Sequence, residues 1–196
     1  MVDGIIIGAG VTGCAVAEQL GQYRGEWLVL EAGEDVASGA SKANSGIVHA
    51  GFDAEPGSRK AYFNVRGARM YESEAKRLGV PYRRNGAFVV AFDEDEKARL
   101  AGLLEQGIKN GVSGLSLLTG DQARRKEPRL SPEVTACLEA ADSAVVSPYE
   151  MTLAYAYHAA QCGVRFLFGQ RVTAIEHGPD GLFTVRTEKE IGRAHV

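Results

Sequence analysis

The sequence DGIIIGAGVTGCAVAEQLGQYRGEWLVLE, residues 3–31, carries the strongest fold signal in the chain. It contains a short apolar run, the glycine triplet Gly8-Ala9-Gly10-Val11-Thr12-Gly13, a helical stretch and a second apolar run that ends at Glu31. In this order the three glycines permit a tight turn, close approach of the backbone to a pyrophosphate, and close packing of the helix on the sheet. The stretch therefore predicts a strand, turn, helix and strand that together bind a dinucleotide.

The residues around the triplet indicate which dinucleotides fit. The helix N-terminus after Gly10 presents unpaired N–H groups and the positive end of the helix dipole, which favour a phosphate without requiring a lysine. Glu31 follows Gly13 by 18 positions (31 − 13), close to where an acidic residue meets the ribose hydroxyls. A carboxylate at this place disfavours the 2′-phosphate of NADP, so NAD and FAD remain.

Composition and charge limit the other functions open to the chain. Its 196 residues are 45% hydrophobic and 24% charged, as in a globular protein with a true core. The net charge of −3 gives no general attraction to nucleic acid or anionic lipid, so we expect neither as a partner. The N-terminal apolar run stops at Gly8, which is too short for a signal peptide or a membrane span. We therefore expect a cytoplasmic protein with no direct membrane span.

The three cysteines are far apart and show neither CxxC nor Cys/His spacing. This pattern predicts no disulfide framework and no metal site. We expect Cys14 and Cys162 to pack as small apolar side chains.

A glycine-, serine- and alanine-rich stretch, residues 32–58, follows the second apolar run. Loops of this length in a compact domain are usually functional, and small residues permit close approach to a ligand. Residues 81–146 have the pattern of a βαβ-type insertion. A helix then begins at Ser147 with a capping residue, a proline and a glutamate.

The last residues, 190–196 (EIGRAHV), follow no strand or helix pattern. They resemble the in-frame translation of a common sequencing-library adapter, so we expect a non-native tail and exclude it from fold reasoning. On this interpretation the natural protein continues beyond about Lys189, and the chain is an N-terminal fragment.

Three motifs resemble the D-amino-acid-oxidase-type (DAO) family of FAD-dependent oxidoreductases. They are GAGVTG with Glu31, SKANSGIVHAGFDAEPGSRKA (residues 41–61), and VSPYEMTLAYAYHAAQCGVRFLFGQRVTAIE (residues 146–176). Within that family, NSGIVHAG and the strand RRNGAFVVAF are most similar to anaerobic-type glycerol-3-phosphate dehydrogenases, and L-2-hydroxyglutarate oxidases share a closely related stretch. The resemblance covers Met1 to Glu188. The family's second flavin-binding glycine motif is absent, which matches an N-terminal fragment.

The resemblance implies an α/β fold, in which a Rossmann-type FAD-binding domain with a parallel central sheet is joined to part of an α+β substrate domain. The expected FAD-binding domain is discontinuous and incomplete, and it comprises residues 1–80 and 147–189. Residues 81–146 are expected to begin the substrate domain.

The resemblance also implies which residues bind FAD. They lie in the glycine triplet, at the end of the second strand, in the small-residue loop and in a later strand: Gly8, Gly10, Gly13, Glu31, Ser41, Lys42, Asn44, Ser45, Gly46 and Val172. The first four would hold the ADP half, the loop residues would line the pyrophosphate and approach the flavin, and Val172 would meet the adenine through its backbone.

Two of the polar side chains near this loop have alternative interpretations. The imidazole of His49 would orient substrate or accept a proton during alcohol oxidation, which makes His49 the candidate catalytic residue, or it is a hydrogen-bonded structural histidine. Lys42 would neutralise a phosphate or the reduced flavin, or it is solvated.

The activity implied by the resemblance is hydride transfer from the secondary alcohol of glycerol 3-phosphate to N5 of FAD, which gives dihydroxyacetone phosphate. The implied partners are a small anionic substrate and an electron acceptor or partner subunit, through which the protein would be membrane-peripheral. L-2-hydroxyglutarate oxidase or dehydrogenase and amino-acid oxidase are the alternatives within the family. A nucleotide-binding module without redox turnover and an inactive fragment also stay open.

Overall fold

A computed structural model describes residues 1–189 and the backbone of residues 191–194. The helices, in chain order, are α1 (Val11–Leu20), α2 (Arg59–Leu78), α3 (Glu94–Lys109), α4 (Gly120–Lys126) and α5 (Pro148–Gln161). The strands are β1 (Gly4–Ile7), β2 (Trp27–Leu30), β3 (Ile47–Val48), β4 (Tyr82–Arg83), β5 (Ala87–Ala91), β6 (Leu115–Thr119), β7 (Ala136–Ala140), β8 (Ala144–Val146), β9 (Arg165–Leu167), β10 (Val172–His177), β11 (Phe183–Thr187) and β12 (Ile191–Ala194).

The chain divides into two compact units. Unit 1 comprises Met1–Ser45, Leu78–Val80 and Ser147–Val196, and unit 2 comprises Gly46–Arg77 and Pro81–Val146. The boundaries expected from the sequence differ from these units at residues 46–77, which belong to unit 2 because β3 pairs with β8 and the amide of Val146 donates to the carbonyl of Gly46. The assignment of FAD-binding and substrate roles to the two parts stays a prediction.

Unit 1 is built on a parallel sheet in the order β1-β2-β9. The register places Ile7 beside Leu30 and Leu30 beside Leu167, so the carboxyl ends of the three strands lie at one edge of the sheet. This arrangement confirms the predicted α/β fold with a parallel sheet. Among the described strands β1 has a neighbour on one side, and its Ile7 side chain is 50% exposed.

The two faces of this sheet are covered differently. Val29 packs in one cluster with Cys14 and Ala17 of α1 and with Ala156 and Ala159 of α5. The alternate positions of β2, Leu28 and Leu30, pack with Val2, Val172 and Val185, the last two of which come from β10 and β11. Since successive strand residues point to opposite faces, β2 is buried on both sides.

Unit 2 contains the antiparallel sheet β5-β7-β6, with β7 in the centre. Because β5 and β6 both run antiparallel to β7, they are parallel to each other, and α3 connects them. This arrangement confirms the βαβ-type insertion predicted from the sequence, and β7, from later in the chain, lies between the two parallel strands. α3 packs on this sheet through Leu100, whose cluster includes Leu138 and Phe52.

Three strands of the structure show no strand pattern in the sequence. β3 and β4, of two residues each, are edge strands on either side of β8, and they are too short to show a periodic pattern. The backbone of β12 pairs antiparallel with β11, where no strand was expected. The predicted non-native tail, residues 190–196, is not tested as such, because residues 190, 195 and 196 lie outside the described residues.

Two glycines of α3 provide a matched test of packing in unit 2. A β carbon at Gly107 would collide with Leu115 Cδ1 and lie 2.9 Å from Phe52 Cβ, whereas a β carbon at Gly102 would have no atom within 4 Å. We expect Gly107→Ala to lower the free energy of unfolding by about 1–3 kcal/mol through overpacking. We expect Gly102→Ala to raise it by roughly 0.5–1 kcal/mol through helix propensity.

Urea unfolding followed by circular dichroism would measure both changes. Equal changes in the free energy of unfolding for the two substitutions, of either sign, would contradict this packing of α3.

Candidate dinucleotide-binding site

The turn after β1 is shaped by Gly8 and Gly13. Gly8 has φ +98°, a left-handed conformation that favours glycine, and its amide donates to the carbonyl of Leu30 (2.8 Å). A β carbon on Gly13 would collide with the carbonyl oxygen of Gly8 and lie 3.5 Å from Ile6 Cγ2. α1 therefore begins directly against the end of β1, with no space for a side chain between them.

The start of α1 presents backbone donors. The first amide that bonds within the helix is that of Cys14, which donates to the carbonyl of Gly10 (2.9 Å). The amide of Val11 donates to Ser41 Oγ (2.9 Å), and the amides of Thr12 and Gly13 have no carbonyl one turn earlier in the helix to accept from them. The first turn of α1 contains no acidic residue. This end of α1 is therefore suited to bind an anion.

Glu31 lies beside this turn, at the carboxyl end of β2. One of its carboxylate oxygens accepts from the amide of Ala9 (2.6 Å) and the other from the amide of Gly33 (2.7 Å). A carboxylate has about four lone-pair positions, so both oxygens can accept further hydrogen bonds from ligand hydroxyls. The amide contacts hold the Glu31 carboxylate next to the phosphate-binding turn.

The loop after β2 folds back onto the glycine turn. The amide of Ala37 donates to the carbonyl of Ala9 (2.9 Å), and Ala37 has φ +57°, which is rare for a residue other than glycine. Ser41 Oγ would lie 3.2 Å from a β carbon at Gly10. Ser41 was predicted from the sequence, whereas Ala37 was not, because an alanine carries no sequence sign of a left-handed conformation.

The other predicted loop residues of unit 1 are exposed. Asn44 donates from Nδ2 to the carbonyls of Ala40 (3.0 Å) and Ser41 (3.3 Å), which stabilises the loop itself. Lys42 Nζ lies 5.8 Å from the centre of the Tyr149 ring, within range of a weak cation–π interaction. Ser45 is exposed at the end of unit 1. The binding roles of these residues stay predictions.

Gly46 and His49 belong to unit 2. Gly46 is buried with φ +68°, and its carbonyl accepts from the amide of Val146 (2.9 Å). His49 follows β3, and its side chain is exposed. Its backbone carbonyl accepts from Asn64 Nδ2 (2.8 Å). The predicted catalytic role of His49 is not tested by these contacts.

Val172 is the first residue of β10 and is half-buried. It pairs with Thr187, and the register shifts between Val172 and Ala174. Such an irregularity interrupts the regular ladder and redirects the backbone. Contact between the Val172 backbone and an adenine stays a prediction.

Cys14 and Cys137 are buried, and the pKa of each thiol is raised. Burial, with a smaller contribution from Glu31, raises the pKa of Cys14 to about 12. Burial is also the main reason why the pKa of Cys137 is raised to about 11. The expectation that Cys162 packs as a small apolar side chain was wrong, because Cys162 lies at the end of α5 and is exposed.

Residues 1–189 include no group of three or more His, Cys, Asp and Glu side chains arranged to hold a metal ion. Among the same residues, no helix combines the length and the apolar character needed to cross a bilayer.

Comparisons with known proteins agree with this geometry. The family described as FAD dependent oxidoreductase (DAO) matches residues 3–196. A glycerol 3-phosphate dehydrogenase from Caloramator mitchellensis is 38% identical over 190 residues, which is 97% of this chain and 39% of that protein. A mitochondrial L-2-hydroxyglutarate dehydrogenase from Arabidopsis thaliana is 40% identical over 129 residues, which is 66% of this chain and 27% of that protein.

The fold is also similar to a solved structure. A dithionite-reduced L-α-glycerophosphate oxidase from Mycoplasma pneumoniae with FAD bound superposes with a TM-score of 0.92 and 32% identity. The match covers 96% of this chain and 50% of the oxidase. The chain therefore spans half or less of the length of these relatives.

The residues at the glycine turn fit the ADP half of FAD. The turn leaves no space for a β carbon at Gly13, amides at the start of α1 are available to a pyrophosphate, and the Glu31 carboxylate is available to ribose hydroxyls.

We expect Gly13→Ala to weaken FAD binding by about tenfold or more, since the added methyl pushes α1 away from the Gly8 carbonyl and about 1.4 kcal/mol suffices for that factor. Gly102→Ala is the matched control, because Gly102 lies in unit 2, outside the proposed site, and a β carbon there would have no atom within 4 Å. Flavin absorbance of the purified variants and titration with FAD would measure the effect. A Gly13→Ala protein with normal FAD affinity would refute the assignment of this turn.

Thiol labelling tests the burial of the cysteines. We expect one thiol, that of Cys162, to react with Ellman's reagent in the folded chain, and all three cysteines to react after unfolding. The buried thiols stay protonated because their pKa is raised, and the thiolate is the reactive form. Cys162→Ala should abolish the fast reaction. Rapid labelling of Cys14 or Cys137 would contradict the packing described.

Proposed function

The chain belongs to the DAO family of FAD-dependent oxidoreductases, and from this premise we propose that it forms the FAD-binding part of a dehydrogenase that oxidises glycerol 3-phosphate to dihydroxyacetone phosphate. The main support for this substrate is the similarity to the Caloramator glycerol 3-phosphate dehydrogenase, which extends over 97% of the chain. The similarity to the Mycoplasma glycerophosphate oxidase, in sequence and in fold, supports the same choice.

FAD is held, in this proposal, by the glycine turn and by Glu31. Thr12 and Gly13 would donate backbone N–H groups to the pyrophosphate, and Ser41 Oγ, which accepts from Val11, would donate its hydroxyl proton. The Glu31 carboxylate, whose position the Ala9 amide fixes, would accept from the ribose hydroxyls. When bound, FAD supplies the hydride acceptor for oxidation of the alcohol carbon.

His49 is the proton acceptor of the proposed reaction. An alcohol that loses a hydride must also lose its hydroxyl proton, and a neutral imidazole is suited to take it near neutral pH. The His49 side chain is exposed, and among residues 1–189 its imidazole has no hydrogen-bond or ion-pair partner. Its ring nitrogens are therefore available to a substrate hydroxyl.

L-2-hydroxyglutarate is the second candidate substrate. The Arabidopsis L-2-hydroxyglutarate dehydrogenase has the higher identity, 40%, although over a shorter part of the chain. Both substrates are anionic secondary alcohols, so the role of His49 is the same for either. The electron acceptor, a partner subunit and a cytoplasmic location stay predictions.

Flavin reduction without oxygen tests the proposal. We expect glycerol 3-phosphate to bleach the visible absorbance of the FAD-loaded, full-length gene product, because oxidation of the alcohol reduces the flavin. L-2-hydroxyglutarate and glycine at the same concentration are the comparison substrates.

Bleaching by L-2-hydroxyglutarate alone, or by glycine alone, would reassign the substrate within the family. A bound flavin that none of the three compounds reduces would favour a nucleotide-binding module without redox turnover.

A further inference from the structure

The segment His49–Ala54, which follows β3, is held by side-chain amides from two helices. Asn64 Nδ2 of α2 donates to the carbonyl of His49 (2.8 Å). Gln106 Nε2 of α3 donates to the carbonyl of Phe52 (3.2 Å). Asn110 Nδ2, at the end of α3, donates to the carbonyls of Gly51 (3.0 Å) and Ala54 (2.7 Å). We call these three residues the amide clamp.

The amide clamp replaces the ladder that ends with β3. The pairing of β3 with β8 stops at Val48 and Ala144, so the carbonyls after Val48 have no strand partner. Carbonyl groups that are buried without a hydrogen bond destabilise a fold, and Gly51, Phe52 and Ala54 are buried. The side chains of Asn64, Gln106 and Asn110 supply the hydrogen-bond donors that a paired strand would supply in a continued ladder.

Close packing fixes the same segment from both helices. A β carbon on Gly51, whose φ is +104°, would lie 2.7 Å from Val65 Cγ2 of α2. Phe52 packs against α3 at Gly107, where a β carbon would lie 2.9 Å from Phe52 Cβ. The segment is therefore closely packed against Val65 of α2 and Gly107 of α3, and small shifts of its backbone are resisted on both sides.

Asn64 is the clamp residue that acts on His49 directly. Its amide binds the carbonyl of the same residue whose imidazole is exposed, and His49 and Asn64 both line a groove of about 270 Å³ together with Phe63 and Tyr71. Loss of the Asn64 bond would free the peptide that carries the imidazole while Gln106 and Asn110 still held the residues after it.

We propose that Asn64 is a positioning residue that holds His49 in place for proton transfer. This inference rests on the proposed function, in which His49 accepts the proton of the substrate alcohol. A displacement of about 1 Å in a reacting group is enough to lower a rate by about 100-fold, so a single hydrogen bond to the backbone can matter for catalysis.

The test is a double-mutant cycle on the FAD-loaded, full-length gene product. The saturating rate of anaerobic flavin reduction and the substrate dissociation constant are measured for wild type, Asn64→Ala, His49→Ala and the double variant. We expect Asn64→Ala to lower the rate by about 10- to 100-fold with little change in the dissociation constant. In the His49→Ala background we expect Asn64→Ala to have no further effect, because it acts through His49.

Two further variants control for unfolding and for general effects on α2. Asn64→Asp keeps the size of the side chain but removes the N–H donors, so it should reproduce the defect if Asn64→Ala folds poorly. Ser73→Ala removes a comparable hydrogen bond on α2, from Ser73 Oγ to the carbonyl of Met70 (2.8 Å), and should leave the rate unchanged.

Hydrogen–deuterium exchange gives a readout that does not depend on activity. We expect faster exchange in residues 47–54 of Asn64→Ala than of wild type, with unchanged exchange in α1. Unchanged exchange in residues 47–54 would overturn the inference even if no substrate reduced the flavin.

The outcomes separate this inference from the proposed function. A normal rate in Asn64→Ala, beside a slow His49→Ala, overturns the positioning role alone. If Asn64→Ala lowers the rate equally in the wild-type and His49→Ala backgrounds, Asn64 has a structural role, and the positioning role is also overturned. A normal rate in His49→Ala overturns the proposed role of His49, and the inference with it.

Discussion

The contact between Gly13 and the carbonyl of Gly8 is the constraint on which unit 1 depends. Because no β carbon fits between them, α1 starts directly at the end of β1, and its first-turn amides lie at the carboxyl edge of the parallel sheet. Glu31 reaches the same edge through the pairing of β1 with β2, and the Ala9 amide fixes its carboxylate there. This close approach thus sets the positions of the first-turn amides of α1 and of the Glu31 carboxylate relative to each other.

Unit 2 contains an irregular segment that side-chain hydrogen bonds hold in place. The segment His49–Ala54, which follows β3, carries His49 at an exposed position, and four of its residues are buried. Amide side chains from α2 and α3 satisfy its carbonyls, and glycines at 51 and 107 let the backbone lie against the helices. The exposed imidazole of His49 is therefore carried by an irregular backbone whose carbonyls are bonded to side chains of two helices.

Local patterns predicted most of the fold, and contacts between distant residues could not be predicted in this way. The cap at Ser147 acts within three residues and forms as expected, since its side chain accepts from the amide of Glu150. The bonds from Asn110 span 56 and 59 residues, so no local pattern indicates them. The glycine triplet could be predicted because its spacing in the sequence is itself the motif, whereas Asn64 has the pattern of any polar residue on an amphipathic helix.

The edge of β1 that faces away from β2 affects how the 196-residue polypeptide behaves in solution. Among the described strands β1 pairs with β2 alone, and it carries three consecutive isoleucines beside a row of backbone groups that no described strand occupies. Such an edge is a template on which a strand of another molecule can add, so we expect self-association through intermolecular β-pairing at high concentration. Because Ile5 and Ile6 pack against the apolar clusters of unit 1, a charged substitution at the exposed Ile7 would be the first remedy for a crystallisation or NMR sample.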